Sequence, residues 1–130
     1  MAFDNFYVDL TFTASGDLSA GQYKFVKLTG TGDQVAICNG ATDIPVGILQ
    51  SKPTAAGQAA TVRVLGVSKV QADASLTVGT LIGTSGDGQA DAKAVTDTTE
   101  YVVGAVIGAA GAAGEIATVL INCLNPTRAN

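Results

Sequence analysis

The side chains able to do chemistry are few, and their spacing excludes most reactions. The chain has 130 residues and no histidine. Without an imidazole there is no Ser-His-Asp or Cys-His nucleophile pair, no His-bearing zinc site and no proton relay near neutral pH. Cys38 and Cys123 each end an apolar run, Val35-Ala36-Ile37-Cys38 and Val119-Leu120-Ile121-Asn122-Cys123. Neither has a basic neighbour in sequence that would activate it. Both read as unlinked core thiols, with a single disulfide as the alternative. Asp87-Gly88-Gln89-Ala90-Asp91 begins like a calcium loop, but Thr98 stands where the twelfth-position Glu is required. Only a loose surface ion site is left of that motif. Gly108-Ala109-Ala110-Gly111-Ala112-Ala113-Gly114 lacks both the Gly-Lys-Ser/Thr ending and the GxGxxG spacing of phosphate loops, and reads as a turn between strands. Asp43, Asp73, Asp97 and Glu100 fall in loop-like contexts. A glycosidase would hold two such acids at a set separation in an aromatic-lined cleft, and the aromatics are missing there. Solvated loop acids are expected. Asn125-Pro126-Thr127 is no glycosylation site because of its proline. The reading is of a protein that is not an enzyme, with no catalytic, cofactor-binding or metal residues and no cofactor.

What positions these residues is a β-rich chain. Apolar residues make up 47% and charged residues 14%, the latter well below the usual ~25%. Sixteen glycines interrupt almost every stretch, which rules out long helices. Net charge is −4, and the seven cations are scattered rather than clustered, so no nucleic-acid partner is expected. No apolar run approaches the ~20 residues of a membrane helix, and no membrane partner is expected. MAFDNFYVDL carries acids where a secretion signal needs cations, which points to synthesis in the cytoplasm.

An internal repeat is the strongest signal. Ala55-Ala56-Gly57-Gln58-Ala59-Ala60-Thr61-Val62 aligns with Ala112-Ala113-Gly114-Glu115-Ile116-Ala117-Thr118-Val119 at an offset of 57 (112 − 55). Val46-Gly47-Ile48 falls on Val103-Gly104-Ala105 at the same offset, and Leu18-Ser19-Ala20-Gly21 on Leu76-Thr77-Val78-Gly79 at 58. The expected organisation is one domain, 1–130: an N-terminal arm at 1–14, repeat one at 15–66, and repeat two with a tail at 67–130. Ala60, Val62 and Val64 alternate with Thr61 and Arg63, and Ala117, Val119, Ile121 and Cys123 with Thr118 and Asn122. That period of two marks half-buried strands. Further strands are expected over 23–28, 35–38, 44–49, 64–70, 80–83 and 101–107. Asn39-Gly40 is a type I′ hairpin candidate, and a short helical turn is expected near Asp97–Glu100. Many short strands punctuated by turns predict an all-β barrel or sandwich.

Phe3, Phe6, Tyr7 and Phe12, four of the seven aromatics, lie in the arm, which has no sequence counterpart before the second repeat. They are the candidate interchain contacts. Residues 1–13 are expected to lie extended against another chain, with Phe6 and Phe12 on one face and Phe3 and Tyr7 on the other.

In the order of its elements the chain resembles the tailed-phage capsid cement, or head decoration, proteins. The residues that carry the resemblance are Leu18 to Gly21, Ile44-Pro45-Val46-Gly47-Ile48, Ala56-Gly57-Gln58 through Val67, Val103-Gly104-Ala105-Val106 and Ala113-Gly114-Glu115-Ile116-Ala117-Thr118-Val119. The resemblance implies a β-tulip-like barrel and a non-enzymatic protein, located in the virion on the outer capsid surface. Its implied partners are the major capsid protein shell and, as a homotrimer, itself. The competing expectation is a β-sandwich binding module, an adhesin or carbohydrate-binding domain of a phage tail or cell surface.

Overall fold

Burial alternates strictly along Ala59–Gln71: Ala60, Val62, Val64, Gly66, Ser68 and Val70 face inward. The sequence divides this stretch into two strands at Gly66, yet it is one strand of 13 residues. Gly66 makes the continuity possible. Its φ is +106°, and a Cβ there would fall on the Phe6 carbonyl oxygen and the Tyr7 Cα. Only glycine lets the crossing backbone come that close.

The structure, a computed structural model, describes residues 6–129. In chain order the strands are β1 (Tyr7–Ala14), β2 (Phe25–Leu28), β3 (Gln34–Ile37), β4 (Gly47–Leu49), β5 (Ala59–Gln71), β6 (Leu81–Thr84), β7 (Ala90–Ala92), β8 (Tyr101–Val102), β9 (Gly104–Gly108), β10 (Ile116–Asn122) and β11 (Thr127–Arg128). The only helix among the described residues is one 3-10 turn, Ser19–Gly21. The chain is all-β, as expected.

Nine strands form one sheet in the order β1-β3-β2-β4-β5-β10-β9-β6-β7, with β8 and β11 as a separate ribbon. β1 also pairs antiparallel with the first half of β5, which closes a five-stranded ring. The second half of β5 pairs with β10, and a parallel bridge from Ala72 to Ala90 at β7 closes a second ring. The two rings share β5.

The rings are copies of one another. The register Thr13↔Ala59 through Asp9↔Arg63 recurs as Gln71↔Ile116 through Val67↔Leu120. Ser15 N–H donates to Val35 O at 3.0 Å, and Asp73 N–H to Ala90 O at 2.8 Å. Gly57 N–H donates to Ala14 O at 3.0 Å, and Gly114 N–H to Ala72 O at 2.8 Å. One core holds Ala14, Leu18, Val26, Val35, Leu49, Ala60, Val62 and Val64. The other holds their equivalents Ala72, Leu76, Ile82, Ala90, Val106, Ala117, Val119 and Ile121, and adds Phe25, Ile48 and Cys38 from the outside of ring one. Gly47 and Gly104 occupy equivalent sites, where a Cβ would fall on the carbonyl oxygens of Arg63 and Leu120.

Several expectations change. Residues 7–14 of the arm are extended, but the sheet edge they occupy belongs to their own chain, and the second half of β5 is the counterpart that the sequence does not display. Gly21 does not match Gly79. Tyr23 N–H donates to Leu49 O and Gly79 N–H to Val106 O, so Tyr23 (φ +64°) is equivalent to Gly79 (φ +91°). Asn39-Gly40 is no type I′ hairpin, since neither residue has positive φ and β2 lies between β3 and β4. Instead, the Asp43 carboxylate accepts the Asn39 and Gly40 N–H groups at 2.9 and 3.0 Å. Asp97 to Glu100 is a hydrogen-bonded turn rather than helix. β7 and β11 are short strands that lack an apolar alternation and escape the sequence pattern.

Candidate functional site

The groups that carry potential chemistry are engaged in holding the fold. Cys38 and Cys123 are free, buried thiols in the larger core. Burial pushes both up to about 12, so neither is a nucleophile at neutral pH. Of the four loop acids, three are held by partners: Asp43, Asp97 and Glu100. Partial burial works against ionisation of Asp43, but the Lys27 ammonium at 3.0 Å and the two turn N–H groups outweigh it and hold its carboxyl below the usual range. Glu100 pairs with Lys93, whose buried ammonium also reaches Asp91 Oδ2 at 3.1 Å and Thr84 O at 2.9 Å. Asp97 accepts the Ala94 N–H at 2.7 Å. Burial, with Asp87 and Asp91 nearby, raises Asp73. The Ser85 hydroxyl holds Asp87 low. Among the described residues no group of three or more such side chains is placed to hold a metal ion.

The notable surface is apolar. Tyr7, on β1, stacks under the Arg63 guanidinium at 3.7 Å. Arg63 is itself fixed by a two-pronged pair with Asp9, at 2.8 and 3.1 Å, and by Val67 O at 3.0 Å. Phe6 precedes Tyr7 and is 81% exposed. Phe6, Tyr7, Val8, Leu65, Val67 and Leu120 line a hollow of about 430 Å³. It shares Leu65, Gly66 and Leu120 with a second hollow of about 440 Å³ that runs to Val102, Ala105 and Leu81. Together they make one apolar strip across β1, β5, β10, β9 and β6. With Tyr7 held against the ion-paired Arg63, little at that end of the strip needs to be ordered on binding.

Of the expected contact residues, Phe6 and Tyr7 lie at one end of this strip. Phe12 packs its ring against the interior of its own ring one. Phe3 lies outside the described residues. A register shift between Val8 and Asp9 breaks the simple alternation expected of the arm. Leu65, Val67, Leu81 and Leu120 are not among the contact residues expected from the sequence. Their signal was present: by alternation Leu65 shares the outward face of Arg63, and Leu120 that of Thr118.

No family model matches the chain, and no curated protein does. Among solved structures it is similar to the N base of head fiber gp8.5 in bacteriophage phi29, with a TM-score of 0.65 and 22% identity over 91% of this chain and 96% of that one. At that identity the likeness is one of fold.

Proposed function

We propose that this chain is a structural protein of a tailed-phage head: a decoration, or cement, protein on the outer capsid surface that stabilises contacts between major capsid subunits as a homotrimer. The observation that carries the reading is the fold, shared almost end to end with the base of a phage head fiber. The surface is compatible with attachment. Burying one exposed ring or leucine contributes about 1.5–3 kcal/mol, less the cost of association. A few such side chains on each subunit of a trimer, bound together, give tight attachment without any single strong site. The shell contact is assigned to the Phe6–Tyr7 end of the strip, with Phe3 beside it in sequence. The proposal gives the chain no catalytic step, no cofactor and no nucleic-acid contact, in keeping with its net charge of −4.

The test is co-sedimentation of purified protein with heads of the encoding phage that lack it. Saturable binding, weakened at least tenfold by Phe6→Asp, supports the reading. Absence of binding to expanded heads contradicts it.

A further inference from the structure

The equivalent strands β2 and β6 are buried at opposite ends. In β2, Phe25 is fully buried and Leu28 is 51% exposed. In β6, Leu81 is 52% exposed and Thr84 is 1% exposed. The cause is the joint between the rings. Phe25 and Ile48, on the outside of ring one, sink into the core of ring two. The Phe25 N–H donates to Gly88 O, in the β6–β7 turn, at 2.7 Å. Gln50, just after β4, donates to the Ser68 hydroxyl of β5 at 3.0 Å. One face of ring one thus meets a different face of ring two. Such a head-to-tail joint leaves one face of each kind unpartnered.

Both leftover faces carry exposed apolar side chains, the ring-one face beside the polar 29–33 turn. On ring two, Leu81 and Ile107 stand at the positions of Phe25 and Gln50, and both are exposed. On ring one, Leu28 and Leu10 stand at the positions of Thr84 and Ser68, and both are exposed. The internal Gln50–Ser68 hydrogen bond thus has as its counterpart an aliphatic pair, Ile107 against Leu10. Both partners change from polar to apolar together, which neither face requires if it points at water.

From this we infer that the leftover faces bind each other between two copies of the chain: Leu81 and Ile107 of one copy seat against Leu28 and Leu10 of the next. The joint repeats the internal one head to tail and forms a closed ring of copies if the rotation per step closes. It is held by side chains, because the Thr13 N–H, equivalent to the Gln71 N–H that reaches Tyr23 O at 2.8 Å, is already taken by Asp33 O at 3.1 Å. The joint occupies the Leu81 end of the apolar strip and leaves the Phe6 end open. It rests on the duplication and on the proposed self-association of the chain, for which it supplies the contact; a chain that stays monomeric yet still binds heads would overturn the joint and not the attachment.

Sedimentation velocity on the full chain tests it. The wild type associates as concentration rises to millimolar. Leu81→Asp and Leu28→Asp each remain monomeric with unchanged far-UV circular dichroism, whereas Ile116→Asp, outside both faces, associates like wild type. Each disabled variant keeps one good face, so an equimolar mixture of the two forms dimers and nothing larger. If either variant misfolds, Ile107→Asp and Leu10→Asp replace it on the same faces. A monomeric wild type, a variant that still assembles, or a mixture that stays monomeric or grows past dimers overturns the inference.

Discussion

Gly47 and Gly104 are the residues at which the two halves can be compared most directly. In each, a Cβ would strike a backbone carbonyl of the neighbouring strand, and backbone cannot swing aside as a side chain can. Gly47→Ala and Gly104→Ala should each lower stability by roughly 1–3 kcal/mol in urea unfolding, the cost of overpacking. A neutral result at either would mean that the strand spacing there is slack. Asp43 gives a prediction in pH. Its carboxyl is held below 3.8, so its contribution is complete above the unfolded value and is lost as pH falls through the lower folded one. Asp43→Ala should therefore cost about 1 kcal/mol at pH 7, after solvent screening, and the gap from wild type should close below pH 3.8. A gap that persists unchanged into that range would place the effect in packing rather than charge. The two thiols should titrate as two free groups in denaturant without reductant, and should react very slowly in the native state at pH 8, since burial raises both to about 12. Native reactivity like that of a free thiol would contradict their burial.

At the scale of elements, β1 decides how ring one closes. Its pairing with β5 runs from Tyr7↔Gly66 to Thr13↔Ala59, and Phe12 packs on the interior. Deleting residues 2–12 should open the ring and lower Tm by more than about 10 °C, several kcal/mol for a chain of this size. An unchanged Tm would show that the ring closes without it. This element was also the hardest to read from sequence. The duplication was legible from Val46-Gly47, Gly57 and Thr61-Val62, because close approach and turn geometry fix those residue types in both copies. β1 and the second half of β5 share a register and a hydrogen-bond pattern but almost no residue identities; only Ala14 and Ala72 agree among the aligned positions. A strand asks only for an alternating face, and many sequences supply one. The 3-10 turn Ser19–Gly21 shifts the offset from 58 at Leu18 to 56 at Tyr23, and that local slip hid the equivalence of Tyr23 with Gly79. The apolar strip was legible in part: the aromatic cluster named Phe6 and Tyr7, but Leu81 and Leu120 reach the same surface from strands far apart in sequence.

For the whole molecule, the architecture is one small barrel used twice. The first copy's outer face fills the second copy's core, and what that joint does not cover stays apolar. A protein built this way presents rigid surfaces at fixed angles, as the proposed capsid-binding role requires. The central claim is attachment to the outside of a phage head, and an icosahedral reconstruction of mature particles of the encoding phage tests it most directly. The account predicts density for a two-ringed β unit on the outer surface at three-fold or quasi-three-fold positions, with Phe6 and Tyr7 toward the shell. A fully mature head with no such density on its outside, and this chain found instead in the tail or the interior, would contradict it.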